Sequence, residues 1–323
     1  MRTRSKSFIY LFILLITASA FSFKHYSEKS EIESPAPAKV SIKADTTKPA
    51  SPVVAPNATI KLISKEFGFS EGPAANKKGE VFFSDQPNDK IWKFSNGELS
   101  VFLEKTGRSN GMYFDKKGNL ISCADEKNEI WCISPSKKVT ILLSNFEGKR
   151  LNGPNDLWID NKGGIYFTDP YYQRPYWERK QPDIKKQNVY YLKKGAKEAI
   201  AVDTTLMQPN GIVGTRDGKY LYVADIRGRK TYRYSVNSDG SLKDRQLLME
   251  QGSDGMAIDN QGNLYLCGNG ISVYNSEGKK IEQIAVPSRS VTNVCFSGKK
   301  NDVLFITAVE AVYTLQMKVK GKE

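Results

Sequence analysis

Residues 163–169, GGIYFTD, are a glycine turn running into a short strand of β-branched and aromatic residues, and the same phrase recurs through the chain. The other copies are GEVFFSD at 79–85, GNLISCAD at 118–125, GKYLYVAD at 218–225, GNLYLCGN at 262–269 and NDVLFITA at 301–308. Successive starts are 39, 45, 55, 44 and 39 residues apart. Between them lie second strands such as DKIWKFS, NEIWCIS, NVYYLKK, KTYRYSV and ISVYNSE, and no stretch carries an apolar period of 3.6. Six units of about four strands each predict an all-β fold, a six-bladed β-propeller over residues 60–323. A sandwich needs no six copies, and unrelated hairpins would not repeat the terminal Asp that four copies share. Closing the ring removes two sheet edges, so the run Thr59 to Phe67 is expected to join the sheet holding the strand near Ala311 to Val319.

The remaining composition agrees with one large soluble body. At 323 residues, 39% hydrophobic and 26% charged with 4 Cys, the chain is neither a disulfide-dependent miniature nor a disordered polymer. Its 48 Lys and Arg against 35 Asp and Glu give +13, but both signs are scattered and no basic block forms an arm for nucleic acid. Residues 1–20 read as a cleaved export signal: Arg2, Arg4 and Lys6 precede the apolar run Phe8 to Ile16, which ends in Ala18-Ser19-Ala20. The run is short for a membrane span, so the expected location is periplasmic or extracellular with no stable span after cleavage; a retained anchor is the competing reading. Residues 21–59, rich in Pro, Ala and Lys, read as a flexible spacer. Cys123 and Cys132 either pair, if their strands adjoin, or are buried as small hydrophobes; no C-x-x-C spacing supports zinc or redox chemistry.

Polar clusters stand just before several strands: Ser70-Glu71-Gly72-Pro73, Ser109-Asn110-Gly111-Met112, Asn155-Asp156-Leu157, Pro209-Asn210-Gly211 and Ser253-Asp254-Gly255-Met256. Each alone reads as a turn. Their recurrence at comparable places suggests convergence on a central channel, where Glu71, Asn155, Asn210 and Asp254 offer only oxygen donors. That chemistry suits Ca²⁺ or Mg²⁺. The one histidine, His25, lies in the spacer, so the body has no histidine base, no Ser-His-acid triad and no His-based zinc site. What remains is metal-assisted attack of water with a carboxylate base, or binding without reaction.

The ordered set FSEGP, LNGPNDLWIDNKGGIYFTDP, QPNGIV, GSDGMAIDNQGNLYLCG and VTNVCFSG resembles the gluconolactonase and senescence marker protein 30 (regucalcin) family, from residue 65 to about 316. The resemblance implies a six-bladed propeller with a central divalent cation, usually Ca²⁺, with Mg²⁺, Mn²⁺ or Zn²⁺ as alternatives. It places the metal ligands on Glu71, Asn155, Asn210 and Asp254. It implies hydrolysis of a small-molecule sugar lactone or related ester to the open hydroxy acid, with Asp254 as the catalytic residue that positions or activates water; activation of water by the cation itself is the variant left open. A noncatalytic calcium-stabilised binding module, and hydrolysis of another electrophile such as an organophosphate, are the alternatives. Protein partners and oligomeric state are not legible.

Departures from the family shape the expected substrate contacts. Bacterial relatives carry Glu-His where this chain reads Asp125-Glu126, so Glu126 stands in the histidine's place. An arginine two residues before the first asparagine ligand is here Gly153. Asn110, Asn155 and Asn293 are expected to meet substrate. The insertion Pro170 to Lys186, PYYQRPYWERKQPDIKK, adds an aromatic and basic loop. Its Tyr172 and Trp177 are expected to stack on a sugar face, with a rim brace as the alternative.

Overall fold

The computed structural model describes residues 50–321, so the export signal and most of the spacer lie outside the described residues. The described chain forms six four-stranded antiparallel sheets, the six blades of the propeller. Blade one is β2 (Ser70–Ala75), β3 (Val81–Asp85), β4 (Lys90–Ser95) and β5 (Glu98–Glu104). Blade two is β6 (Ser109–Phe114) to β9 (Val139–Leu143), and blade three is β10 (Leu157–Ile159), β11 (Ile165–Asp169), β12 (Asn188–Leu192) and β13 (Ile200–Asp203). Blades four and five run from β14 (Pro209–Gly214) to β17 (Leu242–Met249) and from β18 (Met256–Ile258) to β21 (Lys280–Ile284).

Blade six is closed by both ends of the body. Its β22 (Asn293–Ser297), β23 (Val303–Ala308) and β24 (Ala311–Gln316) are completed by β1 (Lys61–Ser64), with Leu62 opposite Tyr313. The expected closure is therefore observed, and it starts earlier than residue 60. Val54 bridges Met317, the Val53 carbonyl accepts Lys318 N–H at 2.8 Å, and Val53 is fully buried beside Met317 and Val319. The last residues of the anticipated spacer belong to the body because a valine side chain there gains more from burial than a solvated tether would.

The repeated phrase owes its composition to its place in the blade. Second strands β3, β7 (Leu120–Ala124) and β11 are buried along their whole length, so they read as continuous apolar runs. Outer strands such as β5 and β9 are largely exposed and read as mixed. In four blades the glycine that opens the phrase ends an Asx-type turn, built on Asn76, Asp115, Asp160 and Asp259. Gly118, at φ +85°, donates to the Asp115 carbonyl at 3.0 Å while Asp115 Oδ1 accepts Lys117 and Asn119 N–H.

The terminal Asp of the phrase does the same work in three blades. Asp85 accepts Gly68 and Phe69 N–H, Asp169 accepts Asn152 and Gly153, and Asp225 accepts Met207 and Gln208. In blade two the register differs: Ser109 pairs Ala124 where Ser70 pairs Asp85, so Asp125 falls one residue beyond the equivalent place. Asp89 caps that loop instead, accepting Thr106 and Arg108 N–H at 2.8 and 2.7 Å. Cys123 and Cys132 sit on adjoining strands but diagonally, Ile121 facing Cys132 and Cys123 facing Ile130, and none of the four cysteines is in a disulfide. Diagonal neighbours lie about 7–8 Å apart, beyond the reach of a disulfide.

Candidate active site

Each inner strand carries one amide or carboxylate at its start or just before it, giving a ring of Glu71, Asn110, Asn155, Asn210, Asp254 and Asn293, one per blade. Close approach of these strands explains the glycines that follow four of them. A Cβ on Gly211 would stand 2.1 Å from the Asp254 carbonyl oxygen, and one on Gly255 would stand 1.8 Å from Asn293 Cγ. These X-Gly pairs are therefore packing devices in strands, and a turn role does not account for them. Hydroxyls tie the ring across blades: Ser84 Oγ donates to the Asn110 carbonyl at 3.2 Å, Thr168 Oγ1 to that of Asn210 at 2.8 Å, and Thr292 Oγ1 to that of Ser70 at 2.8 Å.

In blade three the glycine is replaced by Asp156, which the sequence reading passed over. Its signal was visible: Asn155-Asp156 breaks the X-Gly rhythm. Asp156 is buried and brings a third carboxyl to the centre. Burial pushes it up to about 7, with Asp254 adding to the rise and the Leu157 and Ile212 amides and Asn293 opposing it. Burial likewise raises Asp254 to about 7, against the restraint of the Asn210 amide and the Arg174 charge. Glu71 lies well above the usual carboxylate range through burial and through the charges of Asp254 and Asp156. Asp254 keeps partial exposure to a cleft of about 730 Å³ that also touches Ser253, Gly268 and Asn269. Burial is nonetheless the leading influence on its carboxyl.

The amides divide into two kinds. Asn293 donates through Nδ2 to Glu71 Oε2 at 3.1 Å and accepts Val294 N–H at 2.8 Å through Oδ1, so its polar atoms serve protein groups. It is placed to orient two carboxylates, and the anticipated substrate contact gives way to that role. By contrast, Asn110 Oδ1 and Asn210 Oδ1 are buried without a hydrogen-bond partner. Unspent oxygen lone pairs beside several like-charged carboxyls fit a hard divalent cation. Among the described residues no group of three or more His, Cys, Asp or Glu side chains has metal-ligating geometry. The nearby thiols of Cys123 and Cys267 are raised by burial and stay protonated.

The insertion from Pro170 to Lys186 leaves blade three and fastens to blades two and four. Tyr172 Oη accepts the Asn210 amide at 3.0 Å, which sets Tyr172 at the ring; burial raises its phenol to about 12. Arg174 Nε donates to Asp125 Oδ2 at 3.0 Å and Tyr176 Oη donates to the same oxygen. The Arg108 guanidinium covers the Tyr176 ring at 4.5 Å. Trp177 is only 6% exposed, covered by the Arg179 guanidinium at 4.3 Å. It braces the loop and presents no face to a sugar, which corrects its expected role. Gly153 is explained by the same packing: a Cβ there would meet the Trp177 ring at 2.8 Å and Asp125 Oδ1 at 2.9 Å. Glu126 lies beside this packing. Its side chain is partly exposed and 4.0 Å from Lys127 Nζ, while Asp125, displaced by the register shift, is the residue that meets the loop.

A family model described as the SMP-30/Gluconolactonase/LRE-like region matches residues 69–310. The chain belongs to this family. A gluconolactonase of Zymomonas mobilis is 30% identical over 81% of this chain and 82% of its own. The solved structure of a gluconolactonase from Xanthomonas campestris superposes with a TM-score of 0.76 at 26% identity, covering 84% of this chain and 99% of that one. A calcium-binding protein, regucalcin, from Agrobacterium tumefaciens shares the fold with a TM-score of 0.69 at 15% identity, over 82% and 95% of the two chains.

Proposed function

We propose that this protein opens a sugar lactone, or a related cyclic ester, to the hydroxy acid with a divalent cation held at the ring, Ca²⁺ in preference to Mg²⁺, Mn²⁺ or Zn²⁺. Its membership of a lactone-hydrolase family makes it an enzyme. The observation that carries the cation is the unpartnered Asn210 Oδ1 in a ring that also buries the carboxyls of Glu71, Asp156 and Asp254, while Asn110 Oδ1, equally unpartnered, is left for the substrate. Glu71, Asn155, Asn210 and Asp254 would hold the ion. Bound there, a divalent cation supplies polarisation of the ester carbonyl and counter-charge for the oxyanion.

The residues divide the remaining work. A carboxylate near its free pKa is a poor base at neutral pH; burial raises Asp254 to about 7 in the cation-free ring, and a bound cation would draw it back down, so its assignment as base rests on its place in the ring, with direct activation of water by the cation as the alternative. Asp254 takes a proton from the water whose oxygen attacks the carbonyl carbon; the ring C–O bond breaks, and the departing oxygen regains a proton as the hydroxyl of the open acid. The Asn210 amide orients the Asp254 carboxylate and fixes Tyr172 beside it. Asn293 orients Glu71 and Asp156. Asn110 and Tyr172 are the candidate substrate contacts, and the loop behind Tyr172 limits water at the mouth. Export to the periplasm or medium through residues 1–20 is part of the same proposal.

The test is proton release by chelator-stripped protein on five- and six-membered sugar lactones, with and without Ca²⁺, with Glu71→Gln as control. Calcium-restored turnover that the variant lacks supports the reading. No turnover above the spontaneous rate in folded, calcium-binding protein would reject it in favour of a structural cation; turnover confined to an organophosphate would redirect it to another electrophile.

A further inference from the structure

Between blades two and three, at the end of the inner strands opposite the ring, a groove of about 300 Å³ opens among the Asp115–Gly118 turn, β9 and the segment after β12. From Asn110 to Asp115 the strand spans about 17 Å, so the groove is separate from the channel mouth. Its floor is apolar: Ile121, Leu142, Ile159, Ile165 and Leu192 line it, with Ile141 50% exposed at its edge. Around that floor stand Lys116, Lys117, Lys162, Lys193, Lys194 and Lys197.

Among the described residues none of these lysines is ion-paired. Lys116 and Lys162 donate to the neutral carbonyls of Asn161 and Ser238, at 2.7 and 2.6 Å. The two acids in the lining are occupied by their own turns and neighbours. Asp115 accepts Lys117 and Asn119 N–H and the Asn119 amide, and Asp160 accepts Lys162 and Gly164 N–H and the Tyr191 hydroxyl. A concave apolar floor whose rim carries six lysines against two aspartates complements one kind of small molecule, a hydrocarbon chain ending in an anion.

We propose that this groove is a second binding site, for a single amphiphilic anion of the medium-chain carboxylate type. Lysine stems line the walls and their ammonium groups meet the carboxylate, while the chain lies on the isoleucines and leucines. The recess favours one free molecule over the flat surface of a bilayer. The site is independent of the reaction at the ring.

Cys132 lines the groove and is half-buried, whereas Cys123, Cys267 and Cys295 are buried, which supplies a local reporter. The experiment is alkylation of Cys132 in the whole chain at alkaline pH, followed by mass spectrometry, with hexanoate, octanoate and decanoate as probes and acetate and octanol as controls. Protection is expected to strengthen about fourfold per methylene, the change given by ~0.8 kcal/mol per buried CH₂, and to be weak for both controls. Lys193→Gln/Lys197→Gln is expected to raise the decanoate needed for half-protection by about tenfold, and Ile141→Ser by several-fold, with intact folding read by circular dichroism. Unchanged alkylation with decanoate at about 1 mM would overturn the proposal. So would equal protection by octanol, protection indifferent to the lysine changes, or protection by anionic phospholipid vesicles alone.

Discussion

Replacing Asp156 by Asn removes one of three central carboxyls while keeping its shape, and the consequence should depend on pH in sign. Burial holds the folded-state pKa near 7, against about 3.9 in an open chain. At 1.36 kcal/mol per pH unit the difference is worth about 4 kcal/mol. Because the folded value is the higher one, the contribution of this carboxyl is fully present below the unfolded pKa and is lost as pH rises through 7. Asparagine brings an amide whose hydrogens lack an assured acceptor, at a cost of about 1–3 kcal/mol. Chelator-stripped Asp156→Asn is therefore expected to be no more stable than the parent at about pH 4 and more stable by roughly 1–3 kcal/mol at about pH 8.5. Urea unfolding of both proteins in EDTA across that range measures it. A stability difference that stays constant with pH would refute the idea that desolvated, mutually repelling carboxyls strain the cation-free centre.

Five further outcomes are expected. Asp254→Asn should lower calcium-supported lactone turnover by about 10²-fold or more with the fold retained; a normal rate in the purified variant would remove its assigned role. Glu71→Gln should weaken calcium binding, and a tenfold weaker site appears as about 1.4 kcal/mol less calcium-induced stabilisation in thermal or urea unfolding. Gly255→Ala places a Cβ 1.8 Å from Asn293 Cγ, so it should cost more than ~3 kcal/mol or prevent soluble expression. Gly268→Ala, with open space around its Cβ, should stay within about 0.5 kcal/mol of the parent. A chain starting at residue 60 should be less stable than one starting at residue 50 by roughly 1.5–3 kcal/mol, since it lacks the buried Val53; equal denaturation midpoints would show that this segment adds nothing.

Much of the architecture was legible because it is local and repeated. A buried second strand after a tight turn leaves its pattern in every unit, and six copies at near-regular spacing demand a closed ring. The ring residues were legible for the same reason, since each blade enters the channel with a polar residue at one place in the repeat. Only the fold could show what depends on register and on contacts between distant segments. Asp125 shares a string with Asp85, Asp169 and Asp225, yet a one-residue shift in pairing frees it to hold Arg174 and Tyr176. Trp177 looked like a stacking surface by type, and the close approach of Gly153 and Arg179 turned it into a buried brace. Asp156 became the third central carboxyl only when the inner strands were brought together. Periodicity along a chain records which face of a strand is buried. Which charges share a desolvated space is set by strands that lie far apart in sequence, and that proximity is a property of the closed ring alone.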